Sequence, residues 1–251
     1  MRYLVISDVH LRWRIVSSII KKEKNKYDKI LFLGDYMDDF GAIAQDYIDM
    51  CKWLKDNIYD ENKIFLLGNH DIAYFSHYMM SLAERHNYLC SGYSDQWYNI
   101  VKDYLSYEDW EQFKLHYFIK DNVLCTHAGL TNKLYDFSKI KNIKEFVETE
   151  SAKALKRIKD NLIPDVFVGA GKSRGGRYDF GGIVWSDYLD DFEHVNGLNQ
   201  IFGHTIILEP DYIIYDSDNT FDLALDTNNR NYAIYDDETN NIIIKKFDFW
   251  N

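Results

Sequence analysis

The chain has 251 residues, 46% hydrophobic and 16% aromatic, enough for one substantial core and short for two full domains. A formal charge of −11 argues against long nucleic acid or an anionic membrane as a partner held by bulk electrostatics. Three cysteines, Cys51, Cys90 and Cys125, are odd in number and lack CxxC spacing, which argues against a disulfide framework or thiolate zinc site and fits a reducing, cytoplasmic setting.

The chain opens on MRYLVISDVH, whose apolar run is too short for a signal-peptide core or a bilayer span. Three β-rich runs, YLVISDVH, KILFLGD and KIFLLGNHD, each end in a polar turn. Between them, Ile15, Ile19 and Ile20, then Ile43, Tyr47, Met50 and Leu54, keep helical spacing. Strand, helix, strand, helix, strand predicts a parallel sheet buried on both faces, with ligands collecting at the carboxyl ends of its strands.

After Asp71 the sequence turns polar, aromatic and helical through about Phe113, with no linker that marks a domain boundary. Its cluster of Tyr74, Phe75, Tyr78, Tyr88, Tyr93, Trp97, Tyr98 and Tyr104 reads as core or as a cleft lining, core being the commoner use. A hairpin follows, with strands Tyr117–Ile119 and Val123–Thr126, and then a helix over about Ile143 to Asn161. The tail alternates short strands with Asp/Asn turns. The expected architecture is one α/β domain over residues 1–251, two layers of sheet with helices outside, a βαβ half and a more antiparallel half.

The polar residues just past the strands are Asp8 and His10, Asp35 and Asp38, Asn69, His70 and Asp71, His127, and His204. Singly, each has a bland reading: Asp35 and Asn69 can cap helices, and a lone buried histidine is more often a core group than a ligand. Together they differ, because carboxylates gathered at one sheet edge repel strongly unless a cation joins them. Mixed oxygen and imidazole donors suit Mn, Fe or Zn. Two ions sharing a bridging carboxylate, about 3.5–4 Å apart, would polarise a phosphoryl group and activate water, so phosphoester hydrolysis is the implied reaction. His116, His194, His77 and His86 belong to no motif and read as structural or exposed.

The ordered set DVH (Asp8–His10), GDYMDD (Gly34–Asp39), GNHD (Gly68–Asp71), THAG (Thr126–Gly129) and GHT (Gly203–Thr205) resembles the calcineurin-like metallophosphoesterases. WSD (Trp185–Asp187) and LDT (Leu225–Thr227) are similar to segments of the branch with serine/threonine phosphoprotein phosphatases and bacterial diadenosine tetraphosphatases. The resemblance implies a four-layer α/β/β/α sandwich of two mixed sheets around a two-metal centre. It implies Asp8, His10 and Asp35 on one metal, Asp35 as the bridge, and Asn69, His127 and His204 on the other. His70 would be the general acid and Asp38 its orienting partner.

Departures bear on the substrate. The phosphatase branch has GDxVDRG and an arginine before GNH; here those places hold Asp39 and Leu67. Candidate replacements are Arg174 and Arg177, which with Lys172 lie in the glycine-rich GAGKSRGGRYDFGG, able to cradle phosphate or merely be solvated, and the pair Arg12 and Arg14. The expected substrate is a phosphomonoester such as a phosphoprotein. The alternatives are a dinucleoside polyphosphate or phosphodiester, or an inactive metal-binding scaffold. The sequence does not specify an oligomeric state.

Overall fold

In a computed structural model, residues 1–76, 88, 90–160 and 162–247 are described. The three predicted βαβ strands form as β1 (Arg2–Ile6), β2 (Lys29–Phe32) and β3 (Lys63–Phe65), with helices α1 (Trp13–Lys22) and α2 (Ala44–Lys55) between them. β1 pairs with β2, and β2 with β3, in parallel. Then come α3 (Asn69–Ser76), α4 (Asp95–Tyr104), α5 (Tyr107–Trp110), the hairpin β4 (His116–Ile119) and β5 (Val123–Thr126), and α6 (Ile143–Lys159). Five strands close the chain: β6 (Asn199–Phe202), β7 (Asp211–Tyr215), β8 (Thr220–Ala224), β9 (Asn231–Asp236) and β10 (Asn241–Lys246).

Two five-stranded sheets result, ordered β10-β9-β1-β2-β3 and β4-β5-β6-β8-β7. The expected division into a βαβ half and a more antiparallel half needs correcting, because both sheets are mixed. β9 returns to pair antiparallel with β1 in the first sheet, while β5, β6 and β8 of the second run parallel.

Strand alternation explains the layers. Tyr3, Val5, Leu31 and Ile64 point into a core shared with Ile119, Cys125, Ile201 and Leu223 of the other sheet. Leu4, Ile6, Ile30 and Phe32 point the opposite way, into a core shared with Val16 and Ile19 of α1 and Met50 and Leu54 of α2. On the second sheet, α6 is capped by the Asn142 side chain accepting from the Glu145 N–H at 3.2 Å, and it buries Val147, Ala154 and Ile158. The architecture is the expected α/β/β/α sandwich.

Most of the described aromatic cluster is core, Tyr104 being exposed. Tyr74, Phe75, Tyr88 and Tyr98 are buried, and Tyr93 and Trp97 pack against them. Tyr78, His77, His86 and Asn161 lie outside the described residues.

Candidate active site

Parallel pairing decides where the polar turns meet. β1, β2 and β3 deliver Asp8 and His10, Asp35 and Asp38, and Asn69 and His70, while β5, β6 and β8 deliver His127, His204 and Asp226. The turn after β1 hydrogen-bonds along the turn after β2, with His10 N–H on the Asp35 carbonyl at 2.7 Å and Leu11 N–H on that of Tyr36 at 2.9 Å. Asp71, fully buried, accepts from the backbone N–H groups of Asp35 at 2.7 Å, Tyr36 at 2.8 Å and Gly68 at 2.8 Å, tying the turns after β2 and β3 together. Gly68 and Gly203 permit the close approach, since a Cβ on either would collide with the carboxylate of Asp35 or Asp8. Asp8, His10, Asp35, Asp38 and His204 all adopt positive φ, a conformation costly for residues with side chains and concentrated at functional sites.

The predicted ligands converge. The Nε2 atom of His127 lies 3.3 Å from Asp35 Oδ2, 3.0 Å from Asn69 Oδ1, 3.1 Å from His204 Nδ1 and 4.0 Å from Asp8 Oδ1. His10 Nε2 is 3.6 Å from the same Asp35 oxygen. Both imidazoles are fixed from behind: His127 Nδ1 donates to the Leu33 carbonyl at 2.9 Å, and His10 Nδ1 to that of Asp38 at 2.7 Å. With Nδ1 so engaged, each ring turns Nε2 to the cluster, where a neutral imidazole would offer a lone pair. Burial would lower His127, but Asp35 and Asp8 outweigh it and push it up to about 9. His204 Nε2 is buried and has no hydrogen-bond partner. Asp35 belongs to two triads of mutually close donor atoms, one with Asp8 and His10 and one with His127 and His204. Crowded carboxylates, lone pairs aimed at one another and one carboxylate common to both triads fit a pair of divalent cations.

The electrostatics of the protein groups agree. Burial, with the charge of Asp35 behind it, pushes Asp8 above the ordinary carboxylate range, and burial with Asp8 does the same to Asp226. Burial would raise Asp35 as well, but His127 and His70 outweigh it and hold that carboxyl down. His204 is pushed down by burial and by its neighbour His127.

His70 stands beside this cluster. Its Nδ1 is 2.8 Å from Asp38 Oδ2, and its backbone N–H donates to Asp35 Oδ1 at 3.0 Å. Tyr47 and Tyr74 donate to the other Asp38 oxygen at 2.8 and 2.5 Å. Burial would lower His70, but Asp35 and Asp38 outweigh it and push it up to about 12. Cys90 Sγ lies 3.9 Å from Asp38, a neighbour that sequence order did not indicate.

A cleft of about 380 Å³ opens over the cluster, and its wall includes Arg12, Asp39, Phe40, Arg174, Trp185 and Asp226. Arg174 reaches it, held by Asp187 of the WSD segment at 2.7 Å and Thr205 at 3.0 Å. Arg177 is exposed and does not line it, and Lys172 pairs with Asp179 at 2.5 Å. The glycine-rich loop spends the N–H groups of Lys172, Arg174, Gly176, Gly181 and Gly182 on its own closure and on Asp191. Only the Arg174 side chain is offered to the cleft. His116 lies in a separate groove beside α6, and His194 is bound to Asp222 at 2.7 Å.

Comparison with known proteins matches residues 1–208 to the calcineurin-like phosphoesterases. The chain belongs to that family. As a calcineurin-like phosphoesterase it resembles the cold-active protein-tyrosine phosphatase of a psychrophilic Shewanella species at 14% identity and TM-score 0.58, covering 98% of this chain and 77% of that one. It also resembles a protein serine/threonine phosphatase from Saccharomyces cerevisiae at 17% identity and TM-score 0.50, covering 100% and 81%. At such identities the likeness shows the fold. No curated protein sequence matches the chain. Among the described residues no helix is long and apolar enough to cross a membrane.

Proposed function

We propose that this family member is a dinuclear-metal-dependent phosphoesterase acting on phosphomonoesters such as phosphoproteins. The observation that carries the reading is Asp35, common to two donor triads, with the His70–Asp38 pair alongside. Asp8, His10 and Asp35 would hold one ion, and Asp35, Asn69, His127 and His204 the second. Such a pair, of Mn, Fe or Zn, supplies Lewis acidity to the phosphoryl oxygens and lowers the pKa of water. The same reading takes residues 1–251 as one domain, because β9 pairs back onto β1.

His70 protonates the leaving oxygen. Asp38 fixes the ring through Nδ1, leaving Nε2–H for the substrate, and two tyrosine hydroxyls fix Asp38 in turn. Asp35 is the largest upward influence on His70, and cations sharing its charge would weaken that hold and ease release of the proton.

Purified protein with Mn²⁺ should release p-nitrophenol from p-nitrophenyl phosphate, and both His70→Ala and Asp35→Asn should abolish the reaction. Absence of activity with every divalent ion tried would overturn the reading. Bound metal below one ion per chain in metal-replete buffer would instead favour an inactive scaffold. A second substrate reading, a phosphodiester or dinucleoside polyphosphate, has one observation in its favour: Arg12 and Arg174 are each paired with a carboxylate, so the cleft mouth carries little net positive charge for a dianion. Relative rates on p-nitrophenyl phosphate, its bis-p-nitrophenyl diester and diadenosine tetraphosphate decide between them.

A further inference from the structure

We propose that Arg12 holds a non-bridging oxygen of the substrate phosphate, supplying from the start of α1 the guanidinium that position 39 lacks. The inference rests on the phosphoesterase reading above and names a substrate-binding residue for it. Phosphate entering the cleft is anionic, and among the described residues the arginines of its wall are Arg12 and Arg174.

Arg12 is built in rather than trailing in solvent. Its Nε donates to Asp39 Oδ2 at 3.0 Å and its Nη2 to Asp39 Oδ1 at 3.1 Å, while Nη1 donates to the Asn228 side chain. The side chain is 24% exposed, against 68% for Arg14, which turns away to Asp49. A guanidinium has five N–H groups; with Nη1 also 3.5 Å from the Asn228 carbonyl, the fork keeps an Nη2 N–H for an oxyanion. Fixing the plane beforehand removes much of the entropy cost of binding.

The three parts of this clamp come from three turns of the site. Arg12 follows the Asp8–His10 turn, Asp39 follows Asp35 and Asp38, and Asn228 follows Asp226. The clamp is therefore in register with the ligand cluster, and Arg174, held in the same way by Asp187 and Thr205, joins it in the wall of one cleft. In this arrangement Asp39 lowers the net charge at the cleft mouth but orients the arginine that holds the phosphate.

The test uses the Mn-loaded protein of residues 1–251, inorganic phosphate as the calorimetric probe and p-nitrophenyl phosphate as the substrate. Arg12→Ala should weaken phosphate binding and raise KM by roughly 10–100-fold, the span expected for a hydrogen bond to a charged group, with Mn content unchanged. Arg12→Lys should restore only part, because an ammonium cannot reproduce the fork. Asp39→Asn should weaken binding by less than Arg12→Ala, since it acts through Arg12. Lys153→Ala, a surface charge on α6 paired with Glu150, should change nothing. Phosphate affinity within twofold of the wild type in Arg12→Ala and Arg12→Lys, with thermal melts and metal content intact, would overturn the clamp. Loss of metal in Arg12→Lys would overturn it as well, by placing the effect on the ligand turn. Failure of the phosphoesterase reading shows separately, as wild-type protein that hydrolyses nothing; the phosphate titration still reads the clamp in that case.

Discussion

Buried carboxylates meet the two ends of α1 in different company. At its C-terminal end Glu23 is 1% exposed, yet Tyr232 donates to it at 2.7 Å, Lys245 at 2.6 Å, and Lys26 pairs with it at 3.2 Å. Beyond its N-terminal end Asp8, Asp35, Asp71 and Asp226 crowd together, with imidazoles as their nearest cations. Burial pushes the Glu23 carboxyl up, but Lys245, Tyr232 and Lys26 outweigh it and hold it down to about 2. Asp8 and Asp71 are instead pushed up by burial and by the charge of Asp35, and Asp226 by burial and the charge of Asp8. The backbone differs as well: Glu23 has φ −96°, whereas Asp8, like His10 and Asp35 beside it, is left-handed. A buried charge that the protein itself compensates is part of the scaffold; a group kept uncompensated on strained backbone is held for something else.

The largest expected effect probes the uncompensated end. If divalent ions complete the cluster, Mn²⁺ at a thousand times its Kd should stabilise the fold by about 4 kcal/mol, and chelation should remove that gain. Calorimetric melts with Mn²⁺ and with EDTA measure it, and coincident melts would break the comparison.

The next effect belongs to the compensated end. A carboxyl held down in the folded state stabilises above its unfolded pKa, and that contribution is lost as pH falls through the folded value. Glu23→Gln should therefore cost about 3 kcal/mol at pH 7, with the deficit closing between about pH 5 and pH 2. Denaturant melts across that range check it; a deficit independent of pH would show that Glu23 acts through shape rather than charge.

How much of this was legible in the sequence depends on what each feature requires. Continuous apolar runs closed by Asp or Asn announced β1, β2 and β3, because burial on both faces and a polar exit are local properties. β8 (TFDLA) also leads into Asp226, but Asp222 interrupts its apolar run, and Asp226 was not assigned a place in the site. The alternating tail read as antiparallel, and only the pairing of β8 with β6 brings Asp226 to the common edge. The return of β9 and β10 to the first sheet is likewise a choice of partner that alternation does not encode. Asp39 was visible as an oddity, but its meaning lies in a contact with Arg12, 27 residues away, made by two turns in register. The tyrosines on Asp38 were hidden for a similar reason: Tyr47 and Tyr74 sit on core-facing helix positions, and only their hydroxyls reach the site.

The smallest effect is the most discriminating, because its sign differs between the two ends. Removing charge at Glu23 removes a compensated interaction, whereas removing it at Asp226 relieves repulsion from Asp8. In chelated protein Asp226→Asn should therefore be more stable than the wild type, by about 1 kcal/mol at pH 8. The amide oxygen still accepts from the Asn228 N–H, which now donates to Asp226 Oδ1 at 2.8 Å, so the turn keeps its bond. A carboxyl pushed up on folding favours the native state most below its unfolded pKa, and that advantage is lost as pH rises through the folded value. The gain of the amide should accordingly fade toward about pH 4. With Mn²⁺ bound the repulsion is already offset, and the gain should shrink. A chelated Asp226→Asn protein less stable than the wild type at pH 8 would mean that the carboxylates of this edge are compensated within the protein, as Glu23 is, and the distinction between the two ends of α1 would fall.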